Sequence, residues 1–316
     1  MIEKIMQHEE LKQKAPVLID VGASGGIHNS WSKLAPYSIC IGFDGDVRET
    51  DFKVSENEGY KKLYLFNKIV GEAESQTNFF LTKSPFCSSR LEPNYEELQN
   101  WAFGDLFEIE KKINLESTSI ESILNQLHLD YVDWFKTDSQ GTDLRIFKSI
   151  PERIRNKILI TEFEPGIINA YKSEDLLFDL MSFMYAQPFW MSKMIPKGSQ
   201  RIQMKYMDKY FYKFKTKLHD FRYMLNESSA WAEVTYLNTF KNIESFSKRD
   251  LLLGCAVAIA NKQYGYAIDL SEIGLTKFPE ETIFNQIINF SVSSVTKKKL
   301  SVYFYKILNK VKRIFT

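Results

Sequence analysis

The amino-acid sequence predicts an α/β fold, with a mainly parallel sheet that carries helices on both faces and with a helical appendage near its C-terminal end. Short apolar runs alternate with helical segments over roughly the first 195 residues. A turn of small residues follows the first apolar run, and an acidic residue follows the second. After residue 246 the pattern becomes helical. We therefore expect a sheet domain over residues 1–245, a helical hairpin over 246–290 and a tail over 291–316.

The composition is that of an ordinary globular protein. The 316 residues are 44% hydrophobic and 26% charged, and the net charge is +1. This near-neutral balance gives no electrostatic reason to expect nucleic acid as a partner. The three cysteines, Cys40, Cys87 and Cys255, are far apart and lack metal-site spacing, which favours a reduced compartment. With no signal-peptide core and no apolar run long enough to span a bilayer, we expect a cytoplasmic location.

The glycine-rich turn predicts a nucleotide site. A strand over residues 17–21 leads into this turn, and a second strand over residues 39–43 ends at an acid. This is the layout of a βαβ nucleotide-binding unit, in which glycines let the backbone approach a ligand and the acid can accept both ribose hydroxyls. The predicted contacts from these segments are Gly22, Ala23, Ser24, Gly25, Gly26, Asp44 and Gly45.

The turn nevertheless departs from the dinucleotide fingerprint. Ser24 stands where that fingerprint has its second glycine, and Asp20 would repel a pyrophosphate. A carboxylate at Asp20 suits a cationic ligand better. These features resemble the S-adenosylmethionine site of class I methyltransferases, whose cofactor carries a sulfonium and an ammonium. Asp20 therefore joins the predicted cofactor contacts, and a nicotinamide-dependent oxidoreductase is an alternative against which Ser24 argues.

The remaining elements of the sheet domain follow from apolar periodicity. The strand over residues 62–70 is expected to pair with the one over 77–82 as an antiparallel hairpin. Residues 1–14 are predicted to form an amphipathic helix that covers the domain, and residues 202–214 fit a helix and a strand equally well. Further strands are predicted over residues 133–137, 158–163, 189–194 and 232–237, and helical segments over residues 31–34, 95–109, 118–124, 144–150 and 175–186.

The segment from Asp133 to Ile150 resembles the FkbM family of S-adenosylmethionine-dependent methyltransferases. That family has a Leu-Lys-Ile-Asp strand, then Val-Gln-Gly or Val-Glu-Gly, then an acid and an apolar helix; Lys136, Asp138, Gln140 and Gly141 occupy those places here. The resemblance covers about residues 15–195. It implies a Rossmann-like class I methyltransferase sheet, S-adenosyl-L-methionine as cofactor, and methyl transfer to a sugar hydroxyl of a cell-surface glycan or its lipid-linked precursor.

This chain departs from the family at three places. Thr142-Asp143 replaces the usual Ala-Glu, Ser24 replaces an asparagine, and Phe43-Asp44-Gly45 replaces Phe-Glu-Pro. The last change keeps the acid but shortens it by one carbon. The changes at Ser24 and at Phe43-Asp44-Gly45 remain compatible with cofactor binding.

Two residues are candidates for the catalytic base. Transfer to a hydroxyl requires positioning of both reactants and removal of the hydroxyl proton. Asp138 follows a parallel strand at its carboxyl end, where open α/β sheets bind ligands. Its alternative role is to cap the following helix. His28 follows the glycine-rich turn, and a neutral imidazole can act as a base near pH 7; an incidental histidine at a helix start is the alternative.

The acceptor contacts are predicted in two regions. Ser89 and Arg90 lie in a polar loop and suit a phosphate or carboxylate on the acceptor, or only a surface position. Glu162 and Glu164 are expected on one side of their strand, where they suit sugar hydroxyls or an arginine. With Asp138 they would offer oxygen ligands to Mg²⁺, which we consider possible but do not favour. The full predicted acceptor set is Ser89, Arg90, Gln140, Glu162 and Glu164.

The C-terminal region is predicted to hold two paired helices, over residues 249–264 and 267–275, and then a serine-rich joint over 291–296. The tail over residues 297–316 has an apolar stripe at helical spacing opposite several lysines, which is typical of a helix lying on an anionic membrane surface. A terminal helix that docks on its own domain is the alternative. A scaffold protein of a glycan-assembly complex is the non-enzyme alternative for the chain, and its oligomeric state is not predicted.

Overall fold

The computed structural model describes residues 1–23, 29–46, 48, 54–55, 59–211 and 224–297. It divides into two compact units, one formed by Pro16–Lys241 and the other by Met1–Ala15 together with the chain from Asn242 onward. The predictions made for Ser24, Gly25, Gly26 and His28, and for the tail over residues 298–316, lie outside the described residues.

The larger unit contains two β-sheets and six α-helices within its described residues. Its strands are β1 (Val17–Val21), β2 (Ile39–Phe43), β3 (Val54–Ser55), β4 (Lys62–Phe66), β5 (Ile69–Val70), β6 (Ser75–Thr82), β7 (Ile109–Thr118), β8 (Trp134–Thr137), β9 (Ile160–Phe163), β10 (Phe189–Gln200) and β11 (Glu227–Asn238). Helices α1 and α2 belong to the smaller unit. The helices of the larger unit are α3 (Tyr95–Leu98), α4 (Ile120–Gln126), α5 (Asp143–Ser149), α6 (Glu152–Arg155), α7 (Leu177–Tyr185) and α8 (Met204–Phe211).

The main sheet is mixed and has the order β10-β11-β9-β8-β1-β2-β4-β3. β4, β2, β1, β8 and β9 are parallel, β11 runs antiparallel between β9 and β10, and β3 is a two-residue edge strand. All five residues of β1 are buried, as expected of a central parallel strand with both faces covered. The α/β prediction is confirmed: a mixed sheet is flanked by helices.

The order of strands reverses at β1. From β1 the sheet grows through β2 and β4 on one side and through β8 and β9 on the other. In open α/β sheets such a reversal opens a crevice at the carboxyl ends of the two central strands. Residues that follow β1 and β8 are therefore the first place to look for a ligand site.

The predicted hairpin between residues 62–70 and 77–82 is wrong. The first segment divides into β4, in the main sheet, and β5, in a second sheet of order β5-β7-β6, and β6 pairs antiparallel with β7. Asn67 separates β4 from β5, and its side-chain amide donates to the Asp44 carbonyl at 3.0 Å. This partner lies 23 positions away, so the local pattern of apolar residues did not reveal the break.

Two predicted helical segments are also shorter than expected. Between β1 and β2 the described residues form 3₁₀ turns at Asn29–Trp31 and Ala35–Tyr37. The segment over 95–109 contains only α3 and a 3₁₀ turn at Gly104–Phe107 before β7 begins. By contrast, β10 and β11 extend the predicted late strands to 12 residues each, and the ambiguous segment after residue 202 contains α8.

The smaller unit is helical. Its helices are α1 (Ile2–Met6), α2 (Glu9–Gln13), α9 (Lys248–Ala260), α10 (Tyr264–Lys277) and α11 (Thr282–Thr296). A capping box begins α9, in which Ser247 and Asp250 bond each other's backbone amides. The Arg249 guanidinium donates to the carbonyls of Lys14 and Ala15 at 2.8 and 3.3 Å. The first 15 residues thus group with the C-terminal helices, which differs from the predicted domain boundaries.

The predicted helix pair corresponds to α9 and α10, but the predicted serine-rich joint lies inside α11. Hydroxyl groups there bond the helix's own carbonyls: Ser294 Oγ donates to Phe290 O at 2.8 Å, and Thr296 Oγ1 donates to Ser293 O at 3.2 Å. Such bonds let serine and threonine occupy a helix. Over the part of the chain that the structure describes, no helix is both long and apolar enough to cross a membrane.

We expect Gly274→Ala to destabilise the smaller unit by about 1–3 kcal/mol, because an added Cβ would lie 2.4 Å from the buried Phe284 ring. Gly265, in the same helix, is the matched control because a Cβ there meets nothing within 4 Å. Gly265→Ala should stabilise the helix by at most about 1 kcal/mol. Urea unfolding measures both, and equal effects would contradict the close approach of α10 and α11.

Candidate active site

The turn after β1 is folded tightly against the end of β8. Gly22 has φ +84°, and a Cβ at this position would lie 2.1 Å from the carbonyl oxygen of Asp138. The amides of Gly22 and Ala23 both donate to the Phe43 carbonyl at 2.9 Å. The ends of β1, β2 and β8 therefore meet at a point where only glycine fits.

A small cavity of about 70 Å³ opens beside this turn. Six predicted site residues line it: Gly22, Asp44, Gly45, Arg90, Asp138 and Gln140. Its apolar walls are Val21, Phe43, Ile69, Val70 and Phe79. The Asp44 side chain is buried, with Oδ1 accepting from the Asp46 amide at 2.7 Å. The structure thus brings the glycine turn and the acid after β2 to one place, as the sequence spacing predicted.

A hydrogen-bonded cluster of Arg48, Asp46 and Ser88, which the sequence did not suggest, lies next to this cavity. Arg48 forms a bidentate contact with the buried Asp46, at 2.9 and 2.6 Å, and also bonds the Thr82 carbonyl. Ser88, which lines the cavity, donates to Asp46 at 2.9 Å. Although burial raises it, these hydrogen bonds hold the pKa of Asp46 below its ordinary value. The cluster fixes the β6 end of the cavity wall.

A larger cavity of about 510 Å³ adjoins the first one. Five aromatic side chains line it: Phe86, Phe103, Phe107, Tyr171 and Trp231. Three carboxyl groups line it as well, those of Asp138, Glu164 and Glu174. Phe86, Asp138 and Gln140 line both cavities. The volume is within the range of small-molecule sites.

Asp138 lies where the two cavities meet. Burial raises its pKa well above the ordinary value, the nearby Glu164 raises it further, and Lys136 opposes this. The Gln140 side-chain amide donates to Asp138 Oδ1. The N-cap position of the helix that follows is Thr142 and not Asp138, so the alternative capping role does not apply. Asp138 is thus a carboxyl group that retains a proton more readily than usual and that faces both cavities.

Gln140 is held in a strained position by two neighbours. Its φ is +55°, and the Ser89 hydroxyl donates to its carbonyl at 2.7 Å. The Tyr171 hydroxyl lies 2.8 Å from Gln140 Oε1 and 2.9 Å from the Cys87 carbonyl, and with one proton it donates to one of them at a time. The bond to Oε1 orients the amide so that its nitrogen faces Asp138.

Asp143 is a buried anchor rather than a ligand contact. Its Oδ1 accepts from the Thr137 hydroxyl at 3.0 Å and from the amide and hydroxyl of Ser139 at 2.9 and 2.6 Å. Its Oδ2 accepts from the Glu164 amide at 2.8 Å. One carboxylate therefore joins the chain after β8 to the chain after β9.

Four predicted site residues line neither cavity: Asp20, Ala23, Ser89 and Glu162. Asp20 is 1% exposed, pairs with Lys136 Nζ at 3.0 Å, and lines neither cavity. Although burial lowers it, the carboxylates of Asp20, Asp138 and Glu164 raise the pKa of Lys136. Glu162 is the β9 residue opposite Lys136 of β8 in the strand register, and it lines neither cavity. Burial raises the pKa of Glu162 to about 7. Ser89 is buried behind Gln140.

Glu164 and Arg90 do line a cavity. Glu164 follows the last residue of β9, so strand alternation no longer places it with Glu162, and it faces the larger cavity. Arg90 faces the smaller one and pairs with Glu72 at 2.8 Å. Among the described residues, no group of three or more acidic, histidine or cysteine side chains is arranged to hold a metal ion.

Sequence reasoning missed Tyr171, Glu174 and Trp231. They come from loops or strands far along the chain from Asp138, and no local motif marked them. In a comparison with known proteins, no family model, curated protein or solved structure matches this chain.

Proposed function

We propose that this chain is an S-adenosylmethionine-dependent O-methyltransferase that acts on a sugar hydroxyl. The observation that carries the proposal is the position of Asp138, which follows a central parallel strand and lines both cavities. A methyltransferase needs two adjoining sites, one for the methyl donor and one for the acceptor, with a base close to where they meet. The FkbM-like motif around Asp138 supports the same proposal.

The chemical types of the residues at the smaller cavity suit S-adenosylmethionine. The tight turn at Gly22 and Ala23 allows close approach of a ligand, Asp44 suits ribose hydroxyls, and apolar walls suit an adenine ring. The volume of about 70 Å³ is below the usual 300–1,000 Å³, so the cofactor would also need the adjoining space. When bound, the cofactor would supply an electrophilic methyl group. Asp20 forms an ion pair with Lys136 and is not expected to contact the cofactor.

The protein's own residues would position the acceptor and receive its proton. The raised pKa of Asp138 brings this carboxyl nearer the pH at which a base works well. Gln140 holds one oxygen of Asp138, and Tyr171 holds Gln140. The aromatic walls of the larger cavity provide faces on which a sugar ring can stack.

A binding experiment tests the proposal before any acceptor is known. We expect S-adenosylhomocysteine to bind the full-length protein in isothermal titration calorimetry. Asp44→Ala should weaken binding by about 1–3 kcal/mol, because a buried carboxylate that accepts ligand hydroxyls is lost. Asp130→Asn, at an exposed acid, is the control. Binding of NADH without S-adenosylhomocysteine would favour the oxidoreductase alternative, and partner binding with no cofactor would favour the scaffold.

Transfer of labelled methyl groups from S-adenosylmethionine to glycan extracts would then identify the acceptor. The cytoplasmic location and the attraction of the tail over residues 297–316 to an anionic membrane remain predictions from the sequence. Flotation of full-length and tail-truncated protein with anionic liposomes tests the latter.

A further inference from the structure

The larger cavity has charged groups of only one sign. Its lining includes the carboxyl groups of Asp138, Glu164 and Glu174, and it includes no lysine, arginine or histidine. All of its lining residues belong to the described part of the larger unit. Lys136 acts electrostatically on Asp138 and Glu164, but it pairs with Asp20 and does not line the cavity.

The backbone holds the Glu174 carboxyl group in place. Glu174 accepts from the Tyr171 amide at 3.0 Å, and Gly166 leaves the space that its carboxylate occupies, since a Cβ there would lie 2.2 Å from Glu174 Oε1. Burial raises the pKa of Glu174 to about 7 and also raises the pKa of Glu164. A positive group placed in the cavity would favour the ionised forms of both acids.

Aromatic side chains form a continuous series along the lining. The ring centroids of Trp231 and Phe103 are 5.9 Å apart, those of Phe103 and Phe107 are 5.4 Å apart, and those of Phe107 and Tyr171 are 5.5 Å apart. Aromatic faces attract cations, and the attraction strengthens when water is excluded. A cavity that combines such faces with carboxylates therefore suits an ammonium group on a ring whose apolar face can stack on aromatic side chains.

We propose that the larger cavity selects an acceptor that carries a protonated amine near the hydroxyl to be methylated, as an amino sugar does. This inference rests on the proposed function, because it names the acceptor class of the same site. An acceptor with a phosphate or carboxylate would meet three acids in a lining that contains no lysine, arginine or histidine. Arg90, which sequence analysis assigned to such an anion, faces the smaller cavity and is paired with Glu72.

Three methyl glycosides of the same ring test the proposal: those of glucosamine, glucose and glucuronic acid. Titration calorimetry on the full-length protein near pH 7 should give about tenfold tighter binding for the glucosaminide than for the glucoside. The glucuronide should bind more weakly than both. Because the bound ammonium lowers the pKa of Glu174 and Glu164, binding should also release protons at a pH low enough for the free amine to be fully protonated, and buffers of different ionisation enthalpy detect this release. The glucoside should release none.

Two variants locate the effect. Glu174→Gln should weaken the preference for the glucosaminide and should remove most of the proton release. Glu92→Gln, at an exposed acid paired with Lys172, should leave both the preference and the proton release unchanged. Circular dichroism verifies that the Glu174 variant is folded, and Glu164→Gln serves if it is not. Equal binding of the glucosaminide and the glucoside by the unaltered protein, or tighter binding of the glucuronide, would overturn the inference.

The inference and the proposed function fail separately. These titrations contain no methyl donor, so amine preference without S-adenosylhomocysteine binding would remove the methyltransferase proposal and keep the amine-binding cavity. Binding of S-adenosylhomocysteine without a preference for the amine would keep the methyltransferase proposal and remove the amine-binding cavity.

Discussion

Asp138→Asn should lower the rate of the proposed methyl transfer by about 10²–10⁴-fold, because the hydroxyl proton of the acceptor loses its proposed base. Asparagine keeps an oxygen that can accept from Gln140, so the loop geometry and the affinity for S-adenosylhomocysteine should change little. Single-turnover transfer of a labelled methyl group measures the effect.

The pH dependence distinguishes a base from a group that only orients the acceptor. The base must be ionised, and burial raises the pKa of Asp138. The rate should therefore rise with pH well above the range in which an ordinary aspartate ionises, and the variant should lack this rise. Asp130→Asn should match the unaltered enzyme. An Asp138→Asn enzyme with normal activity would exclude Asp138 as the base.

Gly22→Ala should destabilise the larger unit by about 3 kcal/mol or more and should abolish cofactor binding. Two costs combine: a positive φ disfavours alanine, and the Cβ would overlap the Asp138 carbonyl at 2.1 Å. A loss of this size is a large part of the 5–15 kcal/mol that usually stabilises a domain. Urea unfolding gives the stability, and titration with S-adenosylhomocysteine gives the affinity.

Gly59→Ala separates the two costs. Gly59 has nearly the same φ, +86°, but a Cβ there meets nothing within 4 Å. Its replacement should cost only the backbone strain, about 1 kcal/mol. If both alanine variants lose the same stability, the turn at Gly22 is not pressed against β8.

The sequence was sufficient for features that depend on local pattern. The strands β1, β2, β8 and β9 are short apolar runs, and the separation of Gly22 from Asp44 placed both at the same crevice. Asp138 was found because a parallel strand ends just before it. In each case the periodicity of one element and its terminal residue contain the information.

Features that depend on distant contacts were not predictable. The partner of β6 is separated from it by more than 25 residues, and Tyr171 reaches Gln140 from 31 positions away. Asp20 pairs with Lys136 across 116 positions, which explains why a carboxylate assigned to the cofactor lies beside a lysine instead. These pairings are set by the packing of the sheet and have no local signature.

The position of Asp143 has a consequence for how the larger cavity meets its ligand. The same carboxylate secures the segments that carry Gln140 and Glu164, and both residues line the cavity. These segments are therefore preorganised, and an incoming molecule loses little affinity to the ordering of loops. Discrimination between ligands would then come from their complementarity to a preformed binding site rather than from induced fit.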